Sequence, residues 1–283
     1  MPQQASPELY QWIAAQARAG VTAQGVLDAL KAAGWEEGTA IAAMEEAARR
    51  YQHPGTTAQP ELPPAAAVPE PDLADSPLYV DAGDRRVAVL GGLAAPRVVI
   101  FGSLLSDDEC AALIAAARPR LARSQTVVTS TGGTEVNQVR TSRGMFFERG
   151  ESELVRRIEQ RIARLLRWPL ENGEGLQVLH YVPGTEYKPH YDYFDPDAAG
   201  TPAILRRGGQ RVATLVMYLN EPEKGGATAF PDVHFKVAPK RGNAVFFSYE
   251  RPHPSTHTLH AGMPVIAGEK WIATKWLRER EFV

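Results

Sequence analysis

Apolar residues recur along this chain with two different periods, and the change from one to the other divides it. Over residues 7–50 the spacing is helical: Leu9, Trp12 and Ile13 begin one stripe, Val26, Leu27 and Leu30 a second, Ile41 and Met44 a third. Gly20 and Gly34 stand where helices would stop. The expectation is a three-helix accessory domain over residues 1–51. Residues 52–77 then carry repeated Pro and Ala with few large apolar side chains, the pattern of an extended, semi-rigid linker. A folded body is expected over residues 78–283.

Within that body Val98-Val99-Ile100-Phe101 reads as a buried strand. Ser106-Asp107-Asp108-Glu109 follows as a capping box for a helix to about Ala117. Cys110 falls in its first turn, a packing position with nothing nearby to activate a thiolate. A second helix is predicted from about Glu151 to Trp168, with Leu154, Ile158, Ile162 and Leu165 on one face and Pro169 as its stop. Beyond Pro169 the period shortens to that of strands. The runs are 176–182, 187–192, 211–219, 234–238, 243–249, 256–260 and 270–278, separated by Gly, Pro and Asp turns. Helices first and many short strands after predict an α+β fold whose strands form a sandwich or jelly roll.

Composition narrows the function classes. The chain has 283 residues, 44% apolar and 23% charged, with a net charge of −2, which gives no electrostatic reason to expect nucleic acid or an anionic membrane as partner. Cys110 is the single cysteine, so neither an intramolecular disulfide nor a thiolate metal cluster can form. The start, Met1-Pro2-Gln3-Gln4-Ala5, lacks the basic residues and apolar run of a signal peptide, and no stretch approaches a membrane span. These features together predict a cytoplasmic protein.

The chemistry-bearing residues cluster late. His190-Tyr191-Asp192 sets an imidazole and a carboxylate two residues apart, where an extended chain turns both to one face. Two histidines and one carboxylate leave three adjacent octahedral positions open, as in non-haem iron(II) oxygenases. His-x-Asp alone is a weak signal, since such a pair is usually a surface hydrogen bond. The third ligand has three candidates: His253, His257 and His260. His253 lies between prolines and suits a turn, whereas His260 precedes a hairpin-like stretch and the run Glu269–Trp276. If that run is a strand, Lys270, Ile272, Thr274 and Trp276 share a face. A lysine is costly to point inward unless an anion waits there, a need that the C5 carboxylate of 2-oxoglutarate would meet. A solvated edge lysine is the competing reading.

Joined in order, these segments resemble the prolyl 4-hydroxylases. The match is carried by Tyr181-Val-Pro-Gly-Thr-Glu-Tyr-Lys-Pro-His190-Tyr-Asp192, Gly209-Gln-Arg-Val-Ala-Thr-Leu-Val-Met-Tyr-Leu219, Gly225-Gly-Ala-Thr-Ala-Phe-Pro231, His260 and Lys270. Arg140-Thr141-Ser142 is similar too, and the resemblance spans roughly residues 97–282. A fainter likeness, through Gly34-Trp35, links the N-terminal helices to ubiquitin-associated-type bundles.

The resemblance implies a double-stranded β-helix (jelly roll) core with supporting helices, and iron held by His190, Asp192 and His260. It places Lys270 and Tyr181 on 2-oxoglutarate, and Tyr187, Arg211 and Trp276 along a peptide groove. Related enzymes that demethylate nucleic acids use arginine where Lys270 stands, and related halogenases lack the carboxylate that Asp192 supplies. Some members carry a histidine at the position of Arg278. The implied cofactors are Fe(II), 2-oxoglutarate and O2, with ascorbate a candidate reductant. The implied reaction hydroxylates a peptidyl proline at C4 and releases succinate and CO2. A free amino acid or another peptidyl side chain is the alternative substrate. A non-catalytic metal-binding jelly roll, docking partners through residues 1–50, is the alternative of another class.

Overall fold

A computed structural model describes residues 7–18, 21–52, 62–123, 126–127, 134–135 and 141–283. The chain divides into two compact units, residues 1–62 and 63–283.

In the first unit, α1 (Pro7–Arg18), α2 (Ala23–Ala32) and α3 (Glu37–Gln52) share a small core of Ile13, Val26, Leu30, Ala40, Ala43 and Ala47. The Thr22 side chain accepts from the Gly25 N–H to start α2, and Gly34 follows the helix at φ +86°. The stripe expected on α3 is displaced by one residue. Ile41 is 40% exposed, and Ala40 and Ala43 are buried instead. Small side chains let α3 approach its neighbours closely, a packing advantage that hydropathy does not register. Trp12 likewise faces outward, while Ile13 is buried.

The second unit begins earlier than composition suggests. The Pro/Ala stretch is not free after residue 62, because Ala66 N–H donates to the Glu250 carbonyl and Glu70 N–H to that of Leu166. Glu70 also pairs with Arg97, and Leu73 packs on the core. Pro69 and Pro71 are buried. Extended backbone without its own hydrogen bonds has been strapped to the body.

Among the described residues, nine antiparallel strands form the major sheet, in the order Tyr79–Asp81, Arg86–Leu93, Arg97–Gly102, Ala244–Ser248, Arg211–Tyr218, Lys270–Arg278, Leu176–Tyr181, Arg143–Phe147 and Ala122–Arg123. The minor sheet runs Phe235–Val237, Thr228–Phe230, His260–Gly262, Tyr187–His190. One face of the major sheet packs on α4 (Asp107–Ala117) and α5 (Glu153–Leu165) through Val178, Leu215, Met217, Phe246, Trp271 and Ala273. The other meets the minor sheet through Leu179, Val216, Tyr218, Phe247 and Ile272, against Phe230 and Val237. Central strands covered on both faces read as near-continuous apolar runs.

The capping box at Ser106 is present, and its Glu109 does more than cap. Both its oxygens accept from Arg161 of α5, locking the helices together. Burial by itself would raise the Glu109 carboxyl, but Arg161 and the Ser106 amide hold it down at about 2. The order of elements differs from the expectation of helices first, since the hairpin Tyr79–Leu93 precedes α4. The strand expected over 256–260 starts only at His260, after a short turn at Pro254–Thr256.

Candidate active site

The minor sheet carries the three side chains with ligand atoms, and the major sheet forms the facing wall. His190 closes its strand directly opposite His260, the first residue of the neighbouring strand. Antiparallel pairing thus brings together two histidines far apart in sequence, with ring centroids 4.3 Å apart. Asp192 lies two residues past His190, buried, where the strand has ended. Its Oδ1 is 3.6 Å from His190 Nε2 and its Oδ2 3.4 Å from His260 Nε2. The ligand atoms of all three lie within 4.8 Å of one another.

The surroundings prepare these atoms for a cation. His190 Nδ1 lies 2.8 Å from the Lys188 carbonyl and His260 Nδ1 3.0 Å from that of Thr258. A carbonyl can only accept, so each Nδ1 carries the proton and each Nε2 offers its lone pair inward. Burial, reinforced by the neighbouring His190, lowers His260 to about 4 and keeps it neutral. Burial opposes ionisation of Asp192, yet its carboxyl is held well below the usual range by the facing histidines when they carry charge and by Arg211. Thr214 Oγ1 donates to Asp192 Oδ2 at 2.7 Å and accepts from the Tyr249 hydroxyl at 2.9 Å. Sequence reasoning missed both residues. The available signal was a hydroxyl inside the buried run 211–219, since a buried O–H needs a partner.

The facing wall is set by register. Lys270 pairs with Tyr181, Ile272 with Leu179, Thr274 with Gln177 and Trp276 with Thr214, so these side chains share the cleft face. The cleft is lined by His190, Asp192, His260, Lys270, Tyr181 and Trp276, among others. Lys270 is 2% exposed, and its ammonium lies over the rings of Tyr181 and Tyr218 at 5.4 and 5.9 Å. Burial lowers it to about 7, with no anionic group beside it among the described residues. Gly226, at φ +72°, runs against the lysine stem, where an added Cβ would sit 3.1 Å from Lys270 Cδ. Two imidazoles with Nε2 turned inward and a carboxylate suit a divalent iron, and a buried lysine with no counter-ion among the described residues suits an incoming carboxylate.

Tyr187 lines the cleft and stacks on His190 with centroids 3.6 Å apart. Arg211 is not a solvated strand end. Its guanidinium bonds both oxygens of the Glu174 carboxylate at 2.7 and 3.0 Å, lies 4.0 Å over the Trp276 ring, and reaches the Asp192 carbonyl at 3.4 Å. Arg278 joins it on Glu174 at 2.7 Å, which gives the departure from the histidine pattern a packing role. His180 stacks on Trp271 and bonds Glu269, outside the cleft lining. His234 and His257 are exposed. His53 and Arg140 lie outside the described residues.

Comparison with known proteins places this arrangement in a family. Residues 176–278 match the model of the 2OG-Fe(II) oxygenase superfamily, and the residues that line the cleft fall within that segment. The chain is 41% identical over 221 residues to prolyl 4-hydroxylase 5 of Arabidopsis thaliana, covering 71% of this chain and 74% of that one. It is 42% identical over 203 residues to prolyl 4-hydroxylase 1 of the same plant, covering 66% and 70%. Among solved structures, the viral collagen prolyl hydroxylase vCPH of Paramecium Bursaria Chlorella virus-1, in its 2OG complex, aligns with a TM-score of 0.50 and 34% identity. That alignment covers 64% of this chain and 95% of that one. This chain belongs to the prolyl 4-hydroxylase family of iron(II)- and 2-oxoglutarate-dependent dioxygenases.

Proposed function

We propose that this enzyme hydroxylates proline residues of a peptide or protein at C4, with iron(II) on His190, Asp192 and His260 and 2-oxoglutarate on Lys270 and Tyr181. The observation that carries the reading is the pairing, across one cleft, of a His/Asp/His donor set with a buried lysine that has no counter-ion among the described residues. The bound iron and 2-oxoglutarate supply the oxidation: O2 gives one oxygen atom to succinate, with loss of CO2, and the other to a substrate C–H. The protein's own groups do the positioning. The Lys188 and Thr258 carbonyls fix the imidazole tautomers, Thr214 and Tyr249 fix the carboxylate, and Lys270 answers the cosubstrate's C5 carboxylate. Burial of the cleft strengthens that charge pairing by excluding water.

The test is a proline peptide incubated with iron(II), 2-oxoglutarate and ascorbate. Wild type should add one oxygen to a proline and release one succinate per oxygen added, and should bind about one iron per chain. His190→Ala and Asp192→Ala should each lose iron and at least about 100-fold in turnover, as expected when one of three protein ligands or its support is lost. Full activity in either variant would remove the triad assignment.

Residues 1–62 are read as a docking unit for the protein substrate. A chain starting at Pro63 should keep its kinetics on a short peptide and weaken only on the large substrate, through lost effective concentration. A chain starting at Leu78 should also be destabilised by roughly 2–4 kcal/mol, since it discards the strap with Pro69, Pro71 and Leu73. Equal losses on both substrates from the cut at Pro63 would make the helices a structural part instead.

A further inference from the structure

A series of groups in contact runs from the carboxylate Asp192 to the protein surface. Thr214 Oγ1 donates to Asp192 Oδ2 at 2.7 Å and accepts from the Tyr249 hydroxyl at 2.9 Å. Tyr249 is joined to the site a second time through Phe247, whose ring lies 6.2 Å from that of Tyr249 and 4.5 Å from that of His260. Outward, the Tyr249 ring meets Tyr193 edge-on at 6.1 Å, and Tyr193 stacks on Tyr191 at 4.8 Å. Both separations fall in the range of direct ring contact, about 4.5–7 Å. Exposure grows along the series: Tyr249 is 2% exposed, and Tyr193 and Tyr191 are half-buried. Tyr191 and Tyr193 flank Asp192 in sequence, so the turn that delivers the carboxylate also delivers the outer two rings. Asp195 acts electrostatically on Tyr193, and Asp232 on Tyr191. What sets the series apart from ordinary aromatic packing is that all three rings beyond Thr214 are phenols.

A phenol gives up one electron together with its hydroxyl proton, and a negative charge beside it favours loss of the electron. Oxidising power generated in the cleft with no substrate present has only protein to attack. Resting on the oxygenase reading above, we propose that Tyr249, Tyr193 and Tyr191 form an electron-transfer chain that carries this oxidising power out to a reductant in solution. Tyr249 yields an electron to the oxidant in the cleft and recovers it from Tyr193, which recovers it from Tyr191. Tyr191 releases its phenolic proton to water and is left as a neutral tyrosyl radical. One hydrogen atom from an enediol such as ascorbate restores the phenol. Two passages deliver two electrons inward. With two protons from water, these reduce to water the oxygen atom that a substrate would have received, and two enediol molecules are each oxidised by one electron. The series thus protects the site during turnover without substrate, a function separate from positioning the carboxylate.

The test uses the full chain with iron(II) and 2-oxoglutarate, exposed to O2 without peptide and without ascorbate. Succinate is counted, and radicals are read by freeze-quench electron paramagnetic resonance, with ring-deuterated tyrosine to identify them. A nitroso spin trap followed by peptide mapping locates those that reach solvent. Wild type should carry the trap mainly on Tyr191, and ascorbate should erase it. Tyr193→Phe keeps the ring contacts and removes the middle phenol. It should lower trapping on Tyr191 at least about 10-fold per succinate, the effect of roughly 1.4 kcal/mol on one hop. Tyr191→Phe should move the trap to Tyr193. Both variants should keep wild-type iron content and wild-type turnover of a proline peptide. Undiminished trapping on Tyr191 in Tyr193→Phe overturns the proposal, as does a trap confined to Tyr181 or Tyr187 in the cleft. Succinate without any tyrosyl radical overturns it too, and so does succinate formed only when peptide is present. If wild type makes no succinate with peptide or without it, the oxygenase reading fails and the chain falls with it.

Discussion

Lys270 and Lys275 lie on one strand, are equally buried at 2% exposure, and belong to opposite faces of the major sheet. Lys275 points to the helix side. Its ammonium meets the Glu159 carboxylate of α5 at 2.6 Å and also the Glu174 carbonyl, and Glu159 is satisfied further by the Gly150 N–H. Lys270 points to the cleft and meets aromatic rings, with no carboxylate beside it among the described residues. Burying a cation is tolerable when its anion comes with the fold and costly otherwise. A buried charge thus becomes evidence of a ligand through the missing partner, and not through burial alone.

The largest effect should come from the satisfied lysine. Lys275→Met leaves Glu159 buried with one backbone donor, and should cost about 3–5 kcal/mol in urea unfolding. Lys275→Met with Glu159→Leu should recover most of that loss, because removing both partners by apolar groups leaves no orphaned charge. A Lys275→Met protein as stable as wild type would end the contrast between the two faces.

Lys270→Ala should do the reverse. A charge-assisted hydrogen bond contributes roughly 1.5–3 kcal/mol, so the 2-oxoglutarate requirement should rise about 10- to 150-fold. Stability without cosubstrate should not fall, since no partner is orphaned. Lys270→Arg should be nearly as damaging to cosubstrate binding, because a planar fork does not replace a compact ammonium against Gly226. An unchanged cosubstrate KM in Lys270→Ala would move the anchor elsewhere.

These two lysines also mark how far the sequence could be read. His190, Asp192, His260 and Lys270 were legible through the joint resemblance of their segments to a known family, since His-x-Asp or an inward lysine alone leaves the bland reading open. Lys275 was not, because its meaning depends on Glu159, which only the packing of α5 on the sheet brings near. Thr214 and Tyr249 stayed hidden for the same reason, being neighbours through strand pairing and not through sequence. The hairpin Tyr79–Leu93 was missed because Asp84-Arg85-Arg86 and Gly91-Gly92 interrupt any apolar alternation. The strap 63–77 reads as part of an extended, semi-rigid linker because prolines that pack and prolines that merely extend have the same composition. Arg211 was assigned to the groove from resemblance, and the Glu174 carboxylate that fixes it beneath Trp276 comes from a different strand end.

The smallest predicted effect probes the two faces most directly, because it reads the missing anion without assaying the reaction. Burial lowers Lys270 from its ordinary 10.5 to about 7 in the folded chain. Between those two values the unfolded chain holds a proton on this lysine that the folded chain does not. Unfolding there takes up a proton, so stability rises with pH, by at most about 1.4 kcal/mol per unit. Below about 7 the ammonium is charged in both states and the slope vanishes. Lys275, paired with Glu159, is also lowered by burial, so wild type alone would mix the two contributions. The difference between wild type and Lys270→Met isolates the cleft lysine. Urea titrations from about pH 7 to 9 without metal or cosubstrate should show wild type gaining stability relative to Lys270→Met as pH rises. Saturating 2-oxoglutarate with iron(II) should flatten that gain, because a bound carboxylate restores the ammonium to its charged form. Parallel curves for the two proteins, with and without cosubstrate, would mean that Lys270 already has its anion, and that the two faces of the strand do not differ.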